Sequence, residues 1–441
     1  MTANTSLPVA IIGAGPVGLA AAAHVLKRGM TPLVLEAGPS AGHSITSWGH
    51  IRVFSPWKYN VDEAAAELLD QTGWQMPDPE HFPTGAEIVE EYLEPLASHP
   101  ALDPHIRYDA RVTAVTRLNR DKMKDAGREE APFLLRVEST SGAASTVLAS
   151  AVIDASGTVD TPNPLGAGGV PATGEAALTD SIVYGAPDVL HRDRARYAGK
   201  RILVVGGGDS AYNALLDLMH LKQEEPGTRI VWAVRRSLQQ LNFGGGENDA
   251  LPERGALGLR VKSMVETGDI SLQPNIQLTE LQRTDAGIVA LSGDDALPSV
   301  DEIIAVTGYR PNLEMLREVR LALDTAVESP RELAPLIDPN LHSCGTVRPH
   351  GAIELAQPES NFYIAGMKSY GRAPTFLMIT GYEQVRSIAA ALAGDWESAR
   401  NVHLELPETG VCTAGDPGLT LTAAGVGATA RPSGACCGGS C

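Results

Sequence analysis

The stretch Val9-Ala10-Ile11-Ile12-Gly13-Ala14-Gly15-Pro16-Val17-Gly18 decides how this chain folds. Four apolar residues without a polar one among them read as a parallel strand buried on both faces. The strand enters a glycine turn and then the Ala/Leu-rich run Leu19 to Leu26, which reads as a helix. In that setting each glycine has its own part. Gly13 permits the tight turn, Gly15 lets a pyrophosphate approach the backbone, and Gly18 lets helix and strand pack closely. Pro16 and Val17 complete the turn. The helix N-terminus directs about half a positive charge at the phosphates. A second strand, Pro32 to Leu35, ends in Glu36, where a carboxylate accepts hydrogen bonds from a ribose 2′-hydroxyl. That acid suits FAD or NAD and repels a 2′-phosphate.

The pattern recurs in mid-chain. Gly206-Gly207-Gly208-Asp209-Ser210-Ala211 follows the strand Arg201 to Val205 and leads into a helix from Ala211 to Leu221. The next strand, Arg229 to Val234, ends in Arg235-Arg236 where the first unit has an acid. Guanidinium groups there suit bidentate, charge-assisted bonds to a 2′-phosphate, so the second site reads as NADPH-binding. A solvated surface pair is the other reading, and the pattern does not choose between the two arginines. Two nucleotide sites in one chain point to electrons passing between two cofactors.

The chain has 441 residues, enough for two domains, and its 43% hydrophobic and 20% charged content is that of an ordinary globular protein. A net charge of -18 argues against nucleic acid or an anionic membrane as the main partner, since both need a basic footprint. No apolar run has the length of a membrane span. Met1 to Leu7 shows no basic region or cleavage pattern, so the expected location is the cytoplasm. Cys344 stands alone, while Cys412, Cys436, Cys437 and Cys441 crowd the C-terminus, which is no framework for a secreted disulfide protein.

Two further segments narrow the architecture. Val152-Ile153-Asp154-Ala155-Ser156-Gly157-Thr158 and Ile303-Ile304-Ala305-Val306-Thr307-Gly308-Tyr309-Arg310-Pro311-Asn312 are strands that end in Gly and run into proline-containing crossovers. They resemble the two interdomain connections of the two-dinucleotide-binding flavoproteins, the superfamily of thioredoxin reductases, flavin-containing monooxygenases and N-hydroxylating monooxygenases. The resemblance implies an α/β fold of two Rossmann-like domains. The FAD domain would be discontinuous, over 1–162 and 305–395, with an NADPH domain at 163–304 inserted in it and a flexible tail at 396–441. Gly308 would lie at the cofactor. Asn361 to Met367, with its Gly366 turn, and Lys368 to Pro374, which includes Arg372, would form the second flavin motif ahead of a helix from Thr375 to Leu392. Met367 stands where that motif usually has Asp, so the ribityl contact must be made differently.

The stretch Trp48 to Asn60, the loop Phe243 to Gly258 and the run Ser369 to Arg372 are similar to a narrower group, the monooxygenase-like flavoproteins encoded in bacterial arsenic-resistance gene clusters. That likeness places Trp48 at the cofactor. Two exclusions follow from the motifs. No Cys-x-x-Cys occurs, so the dithiol relay of thioredoxin reductase is missing. The Phe-x-Gly-x-x-x-His fingerprint of the monooxygenases is not met either, since Val183 and Val189 flank Gly185.

Residues 405–441 are rich in Gly, Ala, Thr and Pro and end in Ala435-Cys436-Cys437-Gly438-Gly439-Ser440-Cys441. This reads as a flexible arm. Vicinal thiolates can chelate a soft metal or metalloid together, with Cys441 as a third sulfur. The arm is similar to the tail of mercuric reductases. A redox relay and an incidental tail are the alternatives. A coil of this length reaches an active site in its own or a neighbouring subunit, which leaves a homodimer open.

His50 and Arg52 are further candidates for the flavin side, with a plain structural role as the alternative. Phe243 to Asp249 reads as a glycine-rich loop, while Asp62 to Leu69 and Ala86 to Leu93 read as amphipathic helices. His342 and His350 flank Cys344 without metal-ligand spacing.

These readings converge on an oxidoreductase with FAD and NADPH as cofactors. The resemblance implies monooxygenase chemistry with O2, through a flavin hydroperoxide, on a small soft substrate such as an arsenical or a thiol. The alternatives are a thiol or metalloid reductase working through Cys436 and Cys437, and a flavin redox sensor or metalloid-binding protein.

Overall fold

The computed structural model describes residues 7–241, 243, 252–341, 347–374 and 376–404. Strand β1 (Val9–Ile12), helix α1 (Pro16–Lys27) and strand β2 (Pro32–Leu35) form the opening unit. Helix α2 (Glu63–Asp70) and strand β3 (Ile106–Arg107) follow. Next come an antiparallel meander, β4 (Arg111–Arg117), β5 (Phe133–Glu138) and β6 (Ala144–Ala149), and then β7 (Ala151–Asp154). The chain continues through β8 (Ile182–Tyr184), β9 (Arg201–Val205), α3 (Asp209–Glu224), β10 (Arg229–Ala233), α4 (Pro252–Glu266) and β11 (Ser271–Gln273). A second meander, β12 (Glu280–Thr284), β13 (Gly287–Ser292) and β14 (Asp295–Ala296), precedes β15 (Glu302–Ala305). Strand β16 (Phe362–Ile364), helix α5 (Met378–Leu392) and a short helix at Trp396–Arg400, inside the stretch expected to be a flexible tail, close the described fold.

The residues fall into two units. One holds the chain up to Asn163 and again from Thr307, and the other holds Pro164–Phe243 and Leu257–Val306. Each unit is built on the same plan. The first has a parallel sheet in the order β16-β7-β1-β2-β3, and the second has β11-β10-β9-β15-β8. Each carries a three-stranded antiparallel meander beside its sheet, β4-β5-β6 or β12-β13-β14. The plans differ in one strand. The outer neighbour of β7 is β16, which arrives last, whereas the outer neighbour of β15 is β8, which comes first.

Strand residues alternate between two faces, and the first sheet uses both. Val9, Ile11, Ile153 and Tyr363 pack with Leu19 and Ala22 of α1 and Val385 and Ile388 of α5. Ala10, Ile12, Val152 and Phe362 pack instead with Val115, Phe133 and Leu135 of the meander. In the second unit Leu203, Val231 and Ile303 meet Leu281, Ile288 and Ala290 in the same way.

Several elements differ from expectation. Helix α1 starts at Pro16, not Leu19, since a proline at the first helical position loses no bond it would otherwise make. Helix α3 begins at Asp209, ahead of Ala211, with the acid in its first turn. Asp62 lies outside α2 as its N-cap, with its carboxylate accepting the Ala65 N–H. The segment expected to be one helix from Ala86 to Leu93 instead runs Gly85–Ile88, a π turn at Val89–Leu93, and Glu94–Ala97. Pro95 lacks the N–H that would reach the Glu91 carbonyl, and the Trp74 indole takes that carbonyl at 2.7 Å. The stretch expected to be a loop as far as Gly258 is helical from Pro252. Helix α5 starts at Met378 rather than Thr375, with Leu377 still extended as its N-cap.

Candidate cofactor sites

In the first unit the glycine turn begins where β1 hands over to α1. Gly13 has φ +101, and a Cβ there would lie 2.9 Å from the Ala155 carbonyl oxygen. At Gly18 a Cβ would lie 2.0 Å from the Gly13 oxygen, so helix and turn touch backbone to backbone. Gly15 is different. Its backbone is extended and a Cβ would meet nothing within 4 Å. The space in front of Gly15 is therefore open, while the other two glycines are packed. Pro16 opens α1, no side chain caps the helix, and no acid lies in its first turn. Its leading N–H groups thus suit a pyrophosphate.

Glu36, just past β2, is held against this turn. Its Oε2 accepts the Ala14 N–H at 2.6 Å and its Oε1 accepts the Gly38 N–H at 2.7 Å. A carboxylate has about four acceptor positions, so two remain for ribose hydroxyls. Open cradle, uncapped helix and oriented acid together fit FAD.

The second flavin turn follows β16. Gly366 has φ +69, and Met367 beside it is half-buried. The Gly366 N–H donates to Oε1 of the buried Gln384 at 2.8 Å, and its carbonyl accepts Ser369 Oγ at 2.7 Å. Gln384 Nε2 donates to Ser369 Oγ and to His350 Nε2. The imidazole proton therefore sits on Nδ1, 2.9 Å from the Arg348 carbonyl. Burial pushes His350 below its ordinary pKa, against the opposing pull of that carbonyl. Sequence reasoning placed Ser369 inside the second flavin motif without a part of its own, and it missed Gln384 and the role of His350, which belong to no local motif.

Other expected residues have local partners of their own. Trp48 packs its ring where a Gly85 Cβ would be, at 2.9 Å. Arg52 donates to the Phe82 carbonyl. Exposed Arg372 lies 3.8 Å from Glu328. Gly308, at φ +84, belongs to a pair of chain passages tied by Asn163 N–H to the Gly308 oxygen and by Thr307 Oγ1 to the Asn163 oxygen.

The second unit repeats the cradle. Gly206 has φ +140 and a Cβ there would lie 2.2 Å from the Val306 oxygen, whereas Gly208 faces open space. Asp209 and Ser210 are exposed at the start of α3, and Ala211 is buried. The buried Trp232 indole donates to the Gly206 carbonyl at 2.7 Å and packs with Tyr212 and Phe243. Both arginines are exposed. Arg235 Nη1 reaches the Ala167 carbonyl at 3.3 Å. Arg236 acts on the Tyr212 phenol, which burial and the Asp209 charge push up and Arg236 pulls down. Both exposed side chains stay candidates for a 2′-phosphate. Arg236→Ala is expected to raise the KM for NADPH about 10–100-fold, the worth of a charge-assisted pair, and to leave that for NADH unchanged. Steady-state kinetics with both nucleotides check this, and an equal change for both would refute it.

Among the described residues no group of His, Cys, Asp and Glu is placed to hold a metal ion, and no helix is long and apolar enough to cross a membrane. His342, Cys344, Gly244 to Asp249, and the tail with Cys412, Cys436, Cys437 and Cys441 lie outside the described residues.

Comparison with known proteins agrees with this geometry. Residues 10–340 match the family described as pyridine nucleotide-disulphide oxidoreductase. A ferredoxin–NADP reductase of Salinispora arenicola is 26% identical over 72% of this chain and 79% of its own length. A probable indole-3-pyruvate monooxygenase of Arabidopsis thaliana, YUCCA8, is 25% identical over 69% of this chain and 75% of its own. The solved bacillithiol disulfide reductase Bdr of Bacillus cereus superposes with a TM-score of 0.63 at 20% identity, covering 88% of this chain and 99% of that one. With two glycine cradles, the acid of one and the arginines of the other, the chain belongs to the pyridine nucleotide-disulphide oxidoreductase family and is a flavin-dependent oxidoreductase with FAD and NADPH as its cofactors.

Proposed function

We propose that the protein is an NADPH-dependent flavin monooxygenase that oxidises a soft nucleophile, an arsenical or a sulfur compound. In this reading Gly13, Gly15, Gly18 and Glu36 hold FAD, and Gly206, Gly208 and Arg236 hold NADPH. Bound FAD supplies the two-electron chemistry and the activation of O2. Two electrons come from NADPH, one oxygen atom goes to the lone pair of arsenic or sulfur, and the other leaves as water. The protein's part is binding and orientation. Glu36 fixes the adenosine ribose, the N-terminus of α1 faces the pyrophosphate, and Gln384 fixes the Gly366 turn.

The observation that carries this reading is the lack of a Cys-x-x-Cys anywhere in the sequence. That motif is what hands electrons onward from the flavin in a dithiol relay. The likeness to a monooxygenase points the same way. A second reading, a thiol or metalloid reductase, draws on Cys436 and Cys437 and on the likeness to Bdr. In the first reading Cys436, Cys437 and Cys441 serve instead to capture a thiophilic substrate.

The full-length protein, given NADPH, 18O2 and either phenylarsine oxide or thioanisole, is expected to place one labelled oxygen in the product for each NADPH oxidised. Faster NADPH oxidation with the disulfide DTNB under argon than with O2, and no label in product, would overturn the proposal in favour of the reductase.

A further inference from the structure

The two glycine turns repeat one plan, but their third positions differ. Gly13, Gly15 and Gly18 of the first turn correspond to Gly206, Gly208 and Ala211 of the second. In the first, the bare α-carbon of Gly18 lets α1 lie against the Gly13 carbonyl, where a Cβ would come within 2.0 Å of the oxygen. Ala211 carries that Cβ and is 0% exposed. The Gly206 carbonyl therefore has no room to rest on α3 as the Gly13 carbonyl rests on α1.

That carbonyl has a different partner. Trp232 of β10 donates its indole N–H to the Gly206 oxygen at 2.7 Å. The strand registers align the two units residue by residue. Ile12 lies opposite Leu35, and Val205 lies opposite Ala233. The Gly13 and Gly206 N–H groups donate to the Leu35 and Ala233 carbonyls, at 2.9 and 3.2 Å. Trp232 thus stands where the first unit has Val34, a side chain with no donor. One unit combines a bare α-carbon with a valine, and the other combines a methyl group with an indole.

The direction of this carbonyl matters because the peptide group is planar and trans. The Gly206 oxygen and the Gly207 N–H point opposite ways, so holding the oxygen under Trp232 aims the Gly207 N–H away from β10. Among the described residues, neither the Gly207 nor the Gly208 N–H has a protein acceptor. Gly207 is half-buried and Gly208 exposed, as suits N–H groups that await an anion. The indole itself is well held. Trp232 is buried, edge-on to the Tyr212 ring at 5.8 Å and to the Phe243 ring at 6.3 Å.

We propose that Trp232 is a positioning residue for NADPH, acting through the Gly206 carbonyl to aim the Gly207 N–H at the phosphates of the nucleotide. This rests on the reading that the second unit holds NADPH. The indole gives the second turn the fixed carbonyl that contact with Gly18 gives the first. The turn is set before the nucleotide arrives, so that less ordering has to be done on binding.

The test uses the full-length protein with FAD bound. Steady-state oxidation of NADPH is followed with ferricyanide as electron acceptor, and NADP+ is titrated calorimetrically. Trp232→Phe keeps an aromatic ring against Tyr212 and Phe243 and removes the N–H. It is expected to raise the NADPH KM and the NADP+ Kd about tenfold, with kcat and FAD content as in wild type. Adding Ala211→Gly gives α3 the bare α-carbon of α1. The double variant is expected to return both constants to within about threefold of wild type, because the Gly206 carbonyl can then rest on the helix. A purely structural Trp232 predicts the opposite, since a glycine weakens the helix further. Wild-type constants in Trp232→Phe, or no recovery in the double variant, would overturn the proposal. Should Trp232→Phe fail to fold, benzothienylalanine at position 232 keeps the shape of the indole without its N–H and decides by the same constants. A wild-type holoprotein that neither binds NADP+ nor oxidises NADPH would instead strike at the reading of the second unit.

Discussion

Gly18→Ala is expected to yield a protein without yellow colour. The new Cβ would sit 2.0 Å from the Gly13 carbonyl oxygen, far inside contact distance, and both atoms belong to backbone. No side chain can swing away to make room. Helix α1 must move off β1, or the turn must open, and either change displaces the N–H groups that face the pyrophosphate. A loss of at least about 100-fold in FAD affinity is the expected scale, or about 2.7 kcal/mol, on top of an overpacking cost of about 1–3 kcal/mol. Gly15→Ala supplies the control. Its backbone is already extended and its Cβ would meet nothing within 4 Å, so the apo-protein should melt as wild type does. Only a bound ligand fills that space, so this variant should lose FAD affinity without losing stability. Absorbance at 450 nm and apo melting curves read both results. A Gly18→Ala protein that keeps one FAD per chain would refute the packing argument.

Glu359→Ala is expected to be the most destabilising single change in the first unit. Glu359 is 3% exposed between Arg117 and Arg128, each 2% exposed. Arg117 Nε donates to Oε1 at 2.8 Å, while Arg128 Nη2 and the Arg320 N–H donate to Oε2 at 2.6 and 3.2 Å. The Arg117 guanidinium also lies 3.7 Å from the centre of the Phe133 ring in the meander. Removing the carboxylate leaves two buried cations without a counter-charge, at about 3–5 kcal/mol, or on the order of 10 °C in melting midpoint. The same site sets an acid limit. Burial alone would raise the Glu359 carboxyl, but the hydrogen bonds from Arg128, Arg117 and Arg320 outweigh it and hold its pKa below the ordinary value. A carboxyl depressed in the folded state adds stability above its unfolded pKa of about 4.3 and loses it as the pH falls further. Wild type should therefore lose melting temperature steeply below about pH 4, and Glu359→Gln should lose less over the same range. A Glu359→Ala midpoint within about 2 °C of wild type would contradict this account.

The parts of this molecule that sequence discloses are those whose cause is local. A glycine turn between strand and helix constrains six residues in a row, and in the first turn the tight bend at Gly13 and the close packing at Gly18 are legible. Glu36 is legible for the same reason, since β2 delivers it at a fixed distance from the turn. The Arg117–Glu359 pair is not, because its members are 242 positions apart. Lys368 and Asp154, 214 apart, meet only because β16 pairs with β7. Gln384 looks like any polar residue of a helix until the fold buries it beside Gly366. The two meanders were equally hidden, since a strand such as β4 with alternating exposed and buried residues carries no motif. That Arg235 reaches the Ala167 carbonyl, 68 positions away, is likewise not written in any motif.

The one difference between the two sheets sets an order of events on the ribosome. The second unit has every strand in hand once Val306 has been made, because β8 precedes the rest. The first unit has β7 by Asp154 but must wait for Phe362 before β16 can cover that strand's free edge. At about 5–20 residues per second, that wait of roughly 200 residues lasts about 10–40 s. The half that is begun first is finished last, with an uncovered edge that invites wrong partners in the meantime. Flavin loading is thus a late event, and nascent chains cut short of β16 would emerge colourless and prone to aggregate.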